Sequence, residues 1–173
     1  MRIRKTFICL MILSQLLLCC ASLCYAKEDI LQESSALYSE LSNFSMKWAD
    51  AVLKKDFSKL VSFSGEFQKE IVSKSFKDTS SWIYKFYYDN QACKQDGHMA
   101  YYDFLKSIKR LKFVFVKSPG EAMYIAYFYD ADAIKINFPM KEDEIFKLIE
   151  DGYMHFFPIN RKDDRWIIHF PQF

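Results

Sequence analysis

The feature that most constrains the fold of this chain is an apolar stripe that begins near residue 37. Large apolar side chains recur there at spacings of four, three, four and four residues: Leu37, Leu41, Phe44, Trp48 and Val52. Side chains at these spacings lie on one face of an α-helix. The sequence therefore predicts an amphipathic helix over residues 34–54, with Trp48 in the core of the protein.

Two shorter helices are expected after this one. Asp56 is a typical N-cap residue and predicts a helix that ends near Gly65. A third helix is indicated by apolar residues at near-helical spacing: Phe67, Ile71 and Phe76. Helical structure is thus expected over much of the stretch from 34 to 77.

From Trp82 onward, aromatic and β-branched residues replace the helix formers, which favours strands. The segment 82–88 is expected to be extended, 89–97 to be a polar loop, and 99–111 to include a short helix. Strands are predicted at 112–117, 122–130, 133–138, 153–159 and 165–170. Residues 145–149 fit either a helix or a strand that continues through a bulge at Gly152, and the strand is favoured. Helices followed by antiparallel strands predict an α+β fold.

The first 26 residues have the layout of a secretory signal peptide. A basic start precedes an apolar run over residues 7–18, and Ala26 ends a small-residue cleavage site. We therefore expect a protein that is exported, periplasmic or secreted, after cleavage near Ala26. An uncleaved membrane anchor stays open, since residues 7–26 provide roughly the 20 residues that a spanning helix needs.

Cleavage of the signal peptide would change both the charge balance and the cysteine count of the chain. The first 26 residues hold three of the 24 basic residues and no acidic ones, which leaves 21 basic against 22 acidic residues in segment 27–173. That balance gives no sign of the basic stripe that nucleic-acid binding requires. Cys93 is the single cysteine of this segment, so an intramolecular disulfide is impossible and burial of the thiol is expected. The segment has the length of one domain.

Both ends of the mature chain resemble the nuclear transport factor two-like superfamily. Residues 48–60 are similar to the corner between its first two helices, and 163–168 to the turn and Trp-bearing last strand. The resemblance implies N-terminal helices packed on a curved antiparallel sheet that forms a cone-shaped pocket, with an enlarged section at 65–111 reshaping or covering the opening. It also implies a homodimer through the outer face of the sheet. The superfamily contains isomerases, dehydratases, non-catalytic binding modules and secretion-system components, so it leaves function open.

Aromatic residues followed by aspartate occur three times, ending at Asp89, Asp103 and Asp130. In an apolar pocket, a tyrosine hydroxyl can polarise a substrate oxygen while a desolvated carboxylate accepts a proton. The simpler alternative is that each aspartate ends a strand or begins a turn, where aspartate is common. The candidate pocket residues are Tyr88, Asp89, Tyr102, Tyr127, Tyr129 and His155.

His155 is a candidate because it alternates with Tyr153 and Phe157 on one strand face. If that face is the inner one, the imidazole points into the pocket; a hydrogen-bonded histidine among aromatic residues is the competing interpretation. The three histidines have no metal-ligand spacing, and neither a metal nor a cofactor is expected.

These patterns predict an exported, non-catalytic binding or accessory module with an aromatic-lined pocket. Its expected partner is a small apolar or ring-bearing ligand or an envelope protein. One alternative is a small-molecule isomerase or dehydratase that uses an Asp-Tyr or Asp-His pair. Another is a scaffold component of an envelope secretion system, which would retain the N-terminal anchor.

Overall fold

The computed structural model describes residues 30–95, 98–118 and 123–170, so the predicted signal peptide lies outside the described residues. Within those ranges the chain forms seven α-helices, one short 3-10 helix and a four-stranded antiparallel sheet. The α+β fold class is confirmed. No helix in this described part has the length and apolar character that crossing a membrane requires.

The helices and strands follow one another along the chain, with one helix inserted between the second and third strands. The helices are α1 (Ala36–Lys54), α2 (Phe57–Ser62), the 3-10 helix (Glu66–Gln68), α3 (Lys69–Lys77), α4 (Trp82–Tyr88), α5 (Asn90–Gln95), α6 (Tyr101–Ser107) and α7 (Glu142–Glu150). The strands are β1 (Leu111–Lys117), β2 (Met123–Asp130), β3 (Met154–Lys162) and β4 (Arg165–Ile168).

The predicted first helix is confirmed, and local capping sets its ends. The Ser35 hydroxyl accepts a hydrogen bond from the Tyr38 amide at 3.1 Å, which satisfies a free N–H of the first turn. Lys55 ends the helix in the left-handed region, at φ 53°. Asp56 then caps α2, as predicted, by accepting from the Lys59 amide at 3.0 Å. The corner between α1 and α2 is therefore built from local hydrogen bonds.

The sheet has the order β1-β2-β3-β4. Each of its two edge strands makes a backbone hydrogen bond with a segment outside the sheet. The Leu31 amide donates to the Phe115 carbonyl on the outer edge of β1, at 2.9 Å. The Ile168 amide of β4 donates to the Phe63 carbonyl, at 2.8 Å. Edge strands with free backbone groups invite pairing with other chains, and these contacts close part of each edge.

The two faces of the sheet carry separate apolar clusters. The inner face packs against α1 to α4 and α6 through residues that include Phe115, Phe128 and Phe157, with Trp48 fully buried against them. The outer face packs against α7 and the irregular segment 131–141. In β1, Phe113 and Phe115 face the helices while Val114 and Val116 face outward, as the alternation predicts.

The prediction of a strand at Trp82–Tyr88 is wrong, because this segment forms α4. Ser81 caps it, accepting from the Tyr84 amide at 3.1 Å, and the buried Ile83 and Tyr87 lie four residues apart on one helical face. Tertiary burial of that face outweighs the β propensity of the aromatic residues. The following segment is also largely helical rather than a loop, and it buries Cys93, whose thiol donates to the Lys85 carbonyl at 3.3 Å. Burial of this thiol was expected and is confirmed.

Two further segments differ from the predicted strands. Residues 145–149 belong to α7, which buries Ile145 and packs Leu148 and Ile149 on the outer face. Residues 133–138 form no strand and instead cross the outer face as an irregular segment. The predicted third helix is confirmed by α3. Of the residues that indicated it, Phe67 and Ile71 are exposed, and the buried face of α3 is formed by Val72 and Phe76.

Candidate functional site

The inner face of the sheet is filled around Trp48. Its indole ring lies 4.2 Å from the Phe157 ring and 5.2 Å from the Tyr101 ring, measured between centroids. The indole N–H donates to the Tyr87 hydroxyl at 3.3 Å. Burial raises the pKa of both tyrosines strongly, so neither phenol ionises near neutral pH. These residues build the core, as was expected for Trp48; Trp166 packs at its margin.

His155 faces the helices and is enclosed by aromatic rings. Its imidazole centroid lies 4.5 Å from that of Phe104 and 5.3 Å from that of Tyr101, and its Nε2 has no hydrogen-bond partner among the described residues. Burial, with a smaller contribution from His98, lowers the pKa of His155 to about 3, while hydrogen bonding to the Met99 backbone opposes the shift. The imidazole is therefore neutral at physiological pH and sits in packed core.

Tyr88 and Tyr102 come together beside the end of α1. Their ring centroids lie 5.9 Å apart, and Lys55 Nζ lies 5.3 Å from the first and 5.0 Å from the second. The Tyr88 hydroxyl donates to the Val52 carbonyl at 3.3 Å, and burial is the main cause that raises its pKa. The Lys55 ammonium therefore makes cation–π contacts with both rings at the protein surface. Of the two hydroxyls, that of Tyr88 is already hydrogen-bonded to the backbone.

The candidate carboxylates are engaged by backbone amides. Asp89 Oδ1 accepts from the amides of Gln91 and Ala92, at 3.1 and 3.0 Å, and so occupies the N-terminus of α5. Asp130 accepts from three amides, those of Lys109, Arg110 and Asp132, at 2.9 to 3.0 Å. The Lys109 amide is the largest cause that lowers the Asp130 pKa. Asp130 is therefore a weak base, and Asp89 and Asp130 act as cap and turn residues.

A cavity of about 280 Å³ lies on the opposite, outer side of the sheet, beside β1. Its floor is formed by Lys112, Val114 and Tyr129, and its walls by the segments 30–33 and 136–138 with Tyr38. Antiparallel pairing sets Lys112 directly opposite Tyr129, so the two side chains are neighbours on the outer face. Tyr129 is thus the candidate from the sequence that reaches this cavity.

Polar groups of the cavity differ in how far they are satisfied. Lys112 Nζ lies 2.6 Å from Glu33 Oε1, and the Tyr38 hydroxyl donates to the Phe113 carbonyl at 2.9 Å. Tyr129 as a whole is 3% exposed, and its hydroxyl lines the cavity without a hydrogen bond to the described residues. Burial is the main cause that raises the Tyr129 pKa, and the nearby Lys112 ammonium acts against it. The Tyr129 hydroxyl is therefore available to bond a ligand in the cavity.

Tyr127 takes a different place on the same face. It is buried, with its ring centroid 5.9 Å from that of Phe138 and 6.0 Å from that of Phe156. It packs beneath the segment that walls the cavity. The six candidates are thus spread over four places: the core, the end of α1, the N-terminus of α5 and the outer face of the sheet.

Sequence reasoning did not select Tyr38, Glu33, Lys112 or Val114. Tyr38 directly follows Leu37 and is not a member of the apolar stripe. Strand alternation places Lys112 and Val114 on one face, but their approach to residues 30–33 depends on tertiary packing. No group of three or more His, Cys or acidic residues that could hold a metal ion occurs within the described ranges.

Comparison of the chain with protein-family models, with curated proteins and with solved structures gives no match. The site is therefore interpreted from the geometry of this chain alone.

Proposed function

We propose that this protein is an exported, non-catalytic module that binds a small ring-bearing ligand in the cavity beside β1. The observation that carries the proposal is that the Tyr129 hydroxyl lines the cavity and has no hydrogen-bond partner among the described residues. A hydroxyl that faces a cavity and makes no bond within the protein can bond a ligand oxygen or nitrogen in place of water.

The size and walls of the cavity favour a compact aromatic ligand. Ligand pockets commonly have volumes of about 300 to 1,000 Å³, so a cavity of about 280 Å³ suits a molecule of one or two rings. Val114, Ile136 and Phe138 provide apolar surface against which a ring can pack, and Tyr129 provides the polar contact.

Binding without catalysis is supported by the state of the groups that acid–base chemistry would need. Asp89 and Asp130 accept hydrogen bonds from backbone amides, and His155 is neutral within the core. The cavity itself holds the carboxylate of Glu33, which is paired with Lys112.

The cavity can be tested with two matched aromatic probes, 2-naphthoate and 2-naphthamide, by isothermal titration calorimetry. We expect at least one probe to bind the wild-type protein, and the substitution Val114→Trp, which fills the floor, to weaken binding at least tenfold. Ile71→Trp is the matched control, because it adds the same ring at a position that is 54% exposed and does not line the cavity. Absence of binding by both probes, or unchanged binding by folded Val114→Trp, would contradict the proposal.

Export is tested separately, by mass spectrometry of the protein recovered from the periplasm of an expressing Gram-negative cell. The proposal predicts a chain that begins at Lys27. A chain that keeps residues 1–26 and stays with the membrane would instead support a retained anchor.

A further inference from the structure

The charged contact at the cavity is an ion pair within the protein. Lys112 Nζ and Glu33 Oε1 are 2.6 Å apart, and their side chains are 40% and 62% exposed. Ion pairs this exposed contribute little to stability, because water already solvates both charges well. Glu33 can therefore leave Lys112 at little cost to the fold.

Two hydrogen-bond donors stand side by side on the cavity floor. Lys112 and Tyr129 are directly paired across β1 and β2, so the ammonium and the phenol lie on the same face. Burial raises the Tyr129 pKa, which keeps this hydroxyl protonated and able to donate at neutral pH. One cation and one neutral donor make a site for a group with a single negative charge.

We infer that the ligand of this cavity is an aromatic carboxylate, whose carboxylate takes the place of Glu33 on Lys112 and accepts a hydrogen bond from Tyr129. The inference rests on the proposed function and names its ligand class. Hydrogen bonds between a carboxylate and charged donors are stronger than those between neutral groups, and the ring would pack on Val114 and Phe138. Glu33 then acts as an internal competitor that occupies the anion position when the ligand is absent.

If Glu33 competes with the ligand and Lys112 binds it, substitutions at these two residues should have opposite effects on the affinity for 2-naphthoate. Glu33→Gln removes the internal anion, and we expect it to strengthen 2-naphthoate binding about threefold or more while leaving 2-naphthamide binding unchanged. Lys112→Met removes the cation, and we expect it to abolish the preference for 2-naphthoate, which in the wild type should be at least tenfold over 2-naphthamide. Tyr129→Phe should weaken 2-naphthoate binding several-fold.

The matched controls use the exposed ion pair between Lys74 and Glu70, which are 2.6 Å apart on α3. Glu70→Gln and Lys74→Met change the net charge of the protein by the same amounts and should leave both affinities unchanged. Equal binding of the two probes by the wild type would overturn the carboxylate inference and leave the cavity proposal intact. Weaker 2-naphthoate binding by Glu33→Gln would also overturn it, and binding of neither probe would remove both.

Discussion

The buried imidazole of His155 should make the protein lose stability in mild acid. Because burial lowers its pKa to about 3 in the folded state, whereas an unfolded histidine titrates near about 6.5, the unfolded chain binds a proton first as the pH falls. The stabilising contribution is complete above about pH 6.5 and is lost progressively down to about pH 3. The substitution His155→Leu removes this titration while keeping an apolar side chain among Tyr101, Phe104 and Phe128.

The expected magnitude follows from the difference between the two pKa values. Each pH unit within that window changes the free energy of unfolding by about 1.4 kcal/mol. Between pH 7.5 and pH 5.0, about 1.5 units lie within the window, which gives a loss of roughly 2 kcal/mol. This loss should be missing in His155→Leu. His98 and His169 are present in both proteins, so the comparison isolates the removal of His155.

Urea denaturation at pH 7.5 and pH 5.0, followed by circular dichroism, measures this difference. Phe104→Leu is the matched control, since it alters the packing against the same imidazole, at a centroid distance of 4.5 Å, without removing a titratable group. The control should lose stability at both pH values and keep the wild-type pH dependence. An equal pH dependence in His155→Leu and the wild type would refute the reasoning.

Three smaller effects follow from other contacts. Asp89→Ala should destabilise the protein by about 1 kcal/mol because it removes the cap of α5, whereas Asp89→Asn should be nearly neutral; equal costs in thermal unfolding would argue against a capping role. Tyr101→Phe should cost about 1 to 2 kcal/mol, since its hydroxyl donates to the Phe156 carbonyl in a buried place, and an unchanged melting temperature would contradict that contact. The Cys93 thiol, 3% exposed and bonded to Lys85, should react with a thiol reagent far more slowly in the native protein than in urea; equal rates would show that it is accessible.

The sequence predicted those elements in which local periodicity and tertiary burial agree. The helix carrying Trp48 has both a continuous apolar stripe and capping residues at its ends, and it was placed to within two residues. Trp82–Tyr88 failed because its aromatic residues favour strands in general, whereas here Ile83 and Tyr87 are buried on one helical face. Within Glu142–Glu150, residues 145–149 have helical spacing, but a strand was favoured. Packing of Ile145 on the outer face of the sheet stabilises the helix instead.

The candidate site was harder to predict because it is assembled from distant segments. Tyr129 was a candidate because of the aromatic residues around it in the sequence. That Lys112 lies beside it depends on the pairing register of β1 and β2, and that Glu33 reaches Lys112 depends on the path of the segment before α1. The register of the strands and the path of residues 30–33 depend on long-range packing, which cannot be inferred from a single sequence. The same limit explains Asp89, whose role as a helix cap depends on α5, a helix that was predicted as a loop.

Binding of a ligand on the outer face of the sheet can be observed through intermolecular NOEs with bound 2-naphthoate. The protein would be labelled at valine and isoleucine methyl groups, and contacts with the naphthyl protons recorded. We expect NOEs to Val114 and Ile136, which line the cavity. NOEs to Val52 or Ile159, which are fully buried in the inner cluster, without any to Val114 or Ile136, would contradict it.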